Sequence, residues 1–254
     1  MNGIVRRFKR DGLSGVVRSS ARRLGIVPDR PPMEVALERL ASKPGVTIVQ
    51  IGAHVGNTPN DPLWGFFQQF RQRPTGSLNA VLVEPISEYC RQLRENYAGI
   101  PGVSIENVAI AESEGERIMS RLAVDPADYQ MPAYLSQLSS LKGDRMRELW
   151  AQSDTFKADQ EFVQKHSVSE TVQCITFDTL FTRNKISTVD LLQIDVEGYE
   201  YEILKTLNFK RWRPRYINLE RIWLAENEWP CWSLLKGAGY TLEDFGEDTF
   251  CTAR

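Results

Sequence analysis

Two carboxylates stand two residues apart in Asp195-Val196-Glu197-Gly198-Tyr199, closing the apolar run Val189–Val196. Side chains two apart on a strand end share one face. Two like carboxylates brought out of water are costly unless a cation, a donor or a proton compensates. Such a pair suits a cationic ligand, a metal ion or the removal of a proton. Other apolar runs are also followed by residues that can act. Val46–Ile51 leads into Gly52-Ala53-His54-Val55-Gly56-Asn57-Thr58, where two glycines permit a tight turn and close approach of a ligand to the backbone. The spacing is not the G-x-G-x-x-G of dinucleotide sites. Ala80–Val83 leads into Glu84-Pro85, 32 residues after Gly52, where an acid can accept both hydroxyls of a ribose. Asn107-Val108-Ala109-Ile110 ends a further run and offers a polar side chain to an adenine edge.

The elements that must position these residues alternate along the chain. Helices are expected at Glu34–Ala41, Asp61–Arg73, Ile86–Tyr97, Tyr199–Leu207 and near Trp229–Lys236. Strands are expected at Val46–Ile51, Ala80–Val83, Val103–Ile110, Val189–Val196, Tyr216–Leu219, Tyr240–Leu242 and Thr249–Thr252. Apolar strands without period-2 alternation, separated by helices, imply a mostly parallel sheet covered on both faces, a doubly wound α/β domain. Ligands of such sheets bind beyond the carboxyl ends of the strands, where the residues above fall. Residues 119–167, with Pro126, Pro132, Ser139, Ser140 and a charged helical piece at Lys142–Gln164, are too long for a plain connection. They read as a lid or substrate-binding insertion, or as a helical decoration of the sheet edge.

Composition narrows the function classes. The formal net charge of −2 argues against a protein devoted to nucleic acid. Cys90, Cys174, Cys231 and Cys251 are scattered, without a C-x-x-C pair, so neither a disulfide framework nor a zinc site is indicated. With His54 and His166 as the only histidines, chemistry built on histidine clusters is excluded. No apolar run spans a membrane and the N-terminus lacks a secretory h-region, so a cytoplasmic protein is expected. Charge is uneven. Residues 1–30 carry eight Lys/Arg against Asp11 and Asp29, a +6 prefix on a −8 body. Residues 1–32 therefore read as a basic arm ahead of a domain at 33–254. The arm is either a solvated terminus or a peripheral contact to the inner face of a membrane or to an acidic partner.

The order of glycine turn, ribose acid, adenine contact and paired acids meets the needs of an S-adenosylmethionine site. The stretches IVQIGAHVGNT, VLVEP, NVAIAESEG, VQCITFDTL and LLQIDVEGYEYEIL, with the closing GYTLEDFGEDTFCTA, resemble the FkbM-type methyltransferases. The resemblance implies the class I methyltransferase fold, a Rossmann-like doubly wound sheet of seven mostly parallel strands. It implies that Gly52, Ala53 and Gly56, in a loop with Gln50, His54, Asn57 and Thr58, border the methionine and ribose end of the cofactor. Glu84 with Pro85 would hold the ribose, Asn107 and Ala109 would border the adenine, and Asp195 would face the methionine moiety of the cofactor or the reacting centre, with Glu197 beside it. Two positions depart from the family pattern: Gln50 stands where an acid is usual, and Gln193 where a base is common.

The expected activity is O-methylation of a hydroxyl on a sugar, glycan or related natural product. Removing the hydroxyl proton falls to Asp195 as base, with Glu197 and Glu220 as helpers and His54 as the other candidate. Alternatively Asp195 and Glu220 hold Mg²⁺, whose oxygen preference they suit. Ser139 and Ser140 could contact the acceptor, as could the aromatics of Trp64–Phe70, Tyr129–Tyr134 and Trp223–Trp232, which also suit core packing. A non-catalytic cofactor- or glycan-binding module and a nicotinamide oxidoreductase are the competing classes. The absent G-x-G-x-x-G weighs against the latter.

Overall fold

The computed structural model describes residues 30–59, 61–123, 139–141 and 165–254. The basic arm up to residue 29, the Lys142–Gln164 piece and Tyr129–Tyr134 lie outside them. Among the described residues no helix is long and apolar enough to cross a membrane.

In chain order the elements are α1 (Pro32–Ala41), β1 (Val46–Ile51), α2 (Trp64–Gln68), β2 (Leu78–Val83), α3 (Ser87–Tyr97), β3 (Val103–Glu106), β4 (Ala109–Ile110) and β5 (Gly115–Leu122). There follow β6 (Ser139–Ser140), β7 (Ser167–Ile175), α4 (Phe177–Arg183), β8 (Leu191–Ile194), α5 (Glu200–Leu204), β9 (Tyr216–Glu220), α6 (Glu228–Gly237), β10 (Tyr240–Phe245) and β11 (Asp248–Ala253). Seven strands form one sheet in the order β3-β2-β1-β8-β9-β11-β10. Every pairing is parallel up to β9, and β11 runs antiparallel to both its neighbours.

The apolar runs are strands because both faces of the sheet are covered. Val46 and Ile48 pack with Leu40, Phe67, Phe70, Leu93 and Tyr97, from the α1–α3 side. Val49 and Ile51 pack with Phe177, Phe181, Ile203 and Leu235, from α4, α5 and α6. Alternate residues of one strand thus feed two cores, which is the physical content of a doubly wound sheet.

Two expectations are corrected. The helix read over Asp61–Arg73 is regular only at Trp64–Gln68. The strand read as Val103–Ile110 breaks at Asn107: β3 stays in the main sheet and β4 joins a second, four-stranded sheet of order β4-β7-β5-β6. The stretch read as an insertion contributes to that sheet at both ends, since β5 pairs antiparallel with β7 from Gly115↔Cys174 to Leu122↔Ser167. Ile86, Tyr89, Ala109, Met119, Val172 and Cys174 form its own small core. The aromatic run Trp64–Phe70 is core as well, with Phe66, Phe67 and Phe70 buried.

Candidate active site

A cleft of about 890 Å³, counted to its mouth in solvent, opens at the carboxyl ends of β1, β2 and β8. It is roofed on one side by Met119 and Leu141, next to the second sheet. Of the residues singled out in the sequence, Gln50, Gly52, Ala53, His54, Thr58, Glu84, Pro85, Ala109, Asp195 and Glu197 line it. Gly56, Asn57, Asn107 and Glu220 do not line it. Ser139 and Ser140 pair through their backbone with Arg121 and Ser120, immediately before Leu141 in the cleft wall. Within Trp223–Trp232, Trp229 is 71% exposed and no residue lines the cleft.

The glycine turn works differently from a simple ligand cradle. Gly52 has φ +81°, and a Cβ there would stand 1.7 Å from the Asp195 carbonyl oxygen. Gly56 has φ +71°, and its Cβ would meet Leu93 and Tyr97 of α3 at 2.4 and 2.5 Å. One glycine admits the end of β8 and the other admits a helix. His54 (φ +48°) and Glu197 (φ +53°) take left-handed conformations without being glycine, and both face the cleft. Strain of this kind, about 1–3 kcal/mol per residue, persists where the surroundings over-determine it.

Glu84 is 4% exposed. One carboxylate oxygen accepts the His54 amide N–H and the other accepts that of Ile86, both at 2.8 Å. Burial nevertheless lifts its pKa to about 7 against those two bonds. Asn107 donates from its side-chain nitrogen to the carbonyls of Glu84 and Pro85 at 2.9 Å, so it fixes the loop rather than facing the adenine side. The His54 ring lies 4.2 Å from that of Tyr89. Both its nitrogens are buried without a partner, and burial lowers its pKa to about 4.

Across the glycine turn, Asp195, Glu197 and Glu220 bring carboxylate oxygens within 4.8 Å of one another. Asp195 and Glu197 converge through a turn after β8, not as neighbours on a strand face. That turn is held by Glu200, which is fully buried and accepts the amides of Val196 and Gly198 at 3.1 Å. Burial, then the neighbouring carboxylates, raises Asp195 to about 7 and Glu220 to about 12 and pushes Glu197 well up. The cluster therefore holds protons at neutral pH that ordinary carboxylates would have lost. Glu197 Oε2 and Glu220 Oε2 are buried without partners among the described residues. No Lys or Arg lines the cleft among the described residues.

Sequence reasoning missed Asp61, Val83, Val108, Met119, Leu141 and Tyr199 as cleft residues, and Glu200 as the holder of the turn. Glu200 belongs to the IDVEGYE stretch and was within reach; Asp61, before Pro62, read only as a helix start.

This donor set fits S-adenosylmethionine. A buried acid already oriented by two amides can receive a diol, and an acid-lined cleft without described cations suits a sulfonium better than a pyrophosphate. Strand order and site together define a class I S-adenosylmethionine-dependent methyltransferase. The chain belongs to the FkbM family within that class, since residues 50–247 match the methyltransferase FkbM domain. No curated protein matches it. Similar solved structures include the precorrin-6Y C5,15-methyltransferase of Geobacter metallireducens, at 12% identity and a TM-score of 0.40, covering 86% of this chain and 85% of that one. The ribosomal protein L11 methylase of Lactobacillus delbrueckii subsp. bulgaricus is 9% identical, with a TM-score of 0.40 and coverage of 87% and 77%. An S-adenosylmethionine-dependent methyltransferase of Aquifex aeolicus is 14% identical, with a TM-score of 0.37 and coverage of 92% and 95%.

Proposed function

We propose that the protein methylates a hydroxyl of a small acceptor, a sugar or related natural product, and that Asp195 takes the hydroxyl proton. One observation carries the reading. Asp195 lines the cleft, and burial, followed by the charges of Glu200, Asp248 and Asp61, raises its proton affinity to about 7, the range in which a general base works best near neutrality. S-adenosylmethionine, when bound, supplies an electrophilic methyl group on its sulfonium.

The chain's own residues would do the rest. Glu84 accepts the ribose hydroxyls, Gly52, Ala53 and Thr58 border the methionine side, and Pro85 and Ala109 border the adenine. Burial, and then the charges of Glu200, Asp248 and Asp61, keep Asp195 reluctant to hold charge. Glu197, which lines the cleft, also accepts a hydrogen bond from one of the acceptor's remaining hydroxyls. Holding the nucleophilic oxygen in line with the methyl group supplies much of the acceleration. His54, which burial keeps neutral at pH 7, positions a hydroxyl and does not act as base. Ser139 and Ser140 would meet the acceptor beside Leu141. The reading places the enzyme in the cytoplasm with its basic arm as a contact to an anionic membrane face, supported by the arm's charge alone.

A second reading rests on the 4.8 Å convergence of Asp195, Glu197 and Glu220, which suits a divalent cation. In that case the three would hold Mg²⁺, which acidifies the hydroxyl. The test is methyl transfer from S-adenosylmethionine to a panel of sugars and polyketide alcohols, with product analysis for a methyl ether. On the base reading EDTA leaves the rate within about twofold. Loss of activity restored by Mg²⁺ assigns the cluster to the cation, and cofactor binding without any methyl ether points to a binding module.

A further inference from the structure

Asp61 lies in the connection between the glycine turn and α2 and lines the cleft. Its Oδ1 accepts the amides of Leu63 at 2.7 Å and Trp64 at 2.8 Å, which fixes the carboxylate to the start of the helix. Its Oδ2 accepts from Gln50 Nε2 at 3.1 Å. Gln50 is only 3% exposed, and its own Oε1 is buried without a partner. One amide thus spends its donor on the carboxylate and leaves its acceptor open, next to a carboxylate with no cation among the described residues of the cleft. Burial disfavours the charge on Asp61, opposed only by these neutral donors.

A buried acceptor left unpaired costs about 1–3 kcal/mol, so a site with an open acceptor beside a carboxylate, its one amide donor already spent, is built for a donor that arrives with a ligand. A hydroxyl would bond one of them and leave the carboxylate uncompensated. An alkylammonium has three N–H donors and a positive charge, so it answers both. Gln50 stands on β1 opposite Gln193 of β8, so this corner adjoins the end of β8 where Asp195 begins.

We propose that Asp61, oriented by Gln50, receives the α-ammonium group of S-adenosylmethionine and so sets which way the amino-acid tail of the cofactor lies. The inference rests on the methyl-transfer reading above. It makes Asp61 a cofactor-binding residue and Gln50 a positioning residue. The site selects for a cofactor with an intact amino group.

The test is calorimetric binding of two ligands to the full chain: S-adenosylhomocysteine and its deaminated analogue, which keeps the thioether and carboxylate. Neither carries a sulfonium, so the amino group is isolated as the variable. Wild-type protein should prefer S-adenosylhomocysteine by about 10- to 100-fold, the worth of a charged hydrogen bond. Asp61→Asn keeps the oxygen that receives Leu63 and Trp64. It should erase that preference while leaving the deaminated ligand within about twofold. Gln50→Met, which removes both the orienting donor and the open acceptor, should erode the preference less. It carries the test if Asp61→Asn does not fold. Equal weakening of both ligands by the variants, or a wild type indifferent to the amino group, overturns the inference, including the case in which the ammonium belongs to the acceptor. Failure of the wild type to bind either ligand instead takes down the methyl-transfer reading, and the inference with it.

Discussion

Two acidic corners flank the glycine turn, and their carboxylates are treated differently. On the β2 side Glu84 has both oxygens bonded to backbone amides, at 2.8 Å each. On the β8 side Asp195, Glu197 and Glu220 crowd within 4.8 Å, with buried oxygens on Glu197 and Glu220 that nothing bonds. The first corner is already oriented and needs only hydroxyl donors, the behaviour of a binding site. The second is short of protons or cations and changes state when something enters, the behaviour of a reacting site. Near-equal proton affinities of about 7 for Glu84 and Asp195 conceal this difference: burial leads in both, but the next influence on Glu84 is its two backbone amides, which lower it, whereas the next on Asp195 is like charge, Glu200 first, which raises it.

The comparison breaks most visibly in rate. Asp195→Asn keeps shape and removes the base, so kcat should fall about 10²- to 10⁴-fold while the Kd for S-adenosylmethionine stays within about threefold. Single-turnover methyl transfer and calorimetry read the two numbers separately. A normal rate would return the β8 corner to the status of a binding surface. Glu84→Gln should do the reverse. It places an amide nitrogen against one of two N–H donors and forfeits a charged acceptor, so cofactor affinity should fall about 10- to 100-fold with kcat at saturation little changed.

Much of this division was readable from the residues. The parallel strands announced themselves as apolar runs because both faces are buried, and β1 and β2 end where expected, while β8 stops at Ile194, short of the expected Val196. Glu84 and Asp195 followed from strand ends alone. The second sheet was not readable, because β7 alternates exposed and buried residues near its end and is polar at its start. Its pairing with β5 is long-range, and no local signal encodes it. Asn107 looked like a ligand contact because sequence shows a polar residue at a strand end but not the two carbonyls it binds. The glycine at 52 was legible as a turn. That it exists to admit the Asp195 carbonyl was not, since this contact joins segments far apart in the chain.

A milder separation appears in pH dependence. The base must be deprotonated, so kcat/KM should rise about tenfold per pH unit below a midpoint near 7 and then level. Glu84 also titrates near 7 in the free protein, and its ionisation should strengthen cofactor binding over the same range. At saturating cofactor the Glu84 contribution drops out of kcat and that of Asp195 remains. A kcat profile flat from pH 5 to 9 would sink the assignment of Asp195.

The smallest effect is on stability, and its sign is the informative part. Asp195 has a folded pKa above its unfolded value, so the folded state binds the extra proton. That favourable term is fully present below about pH 4 and is lost as pH rises towards 7. Asp195→Asn should therefore change thermal stability little at pH 4 and raise it by about 1–2 kcal/mol at pH 8, the gain typical of relieving a strained functional site. Glu84→Gln also removes a buried acid, but it breaks a bond to a backbone amide, so its gain at pH 8 should be smaller or reversed. Matching gains from the two variants would mean that the corners differ in name only. A gain confined to Asp195 would show that the protein gives up stability on the β8 side for the sake of the proton it must move.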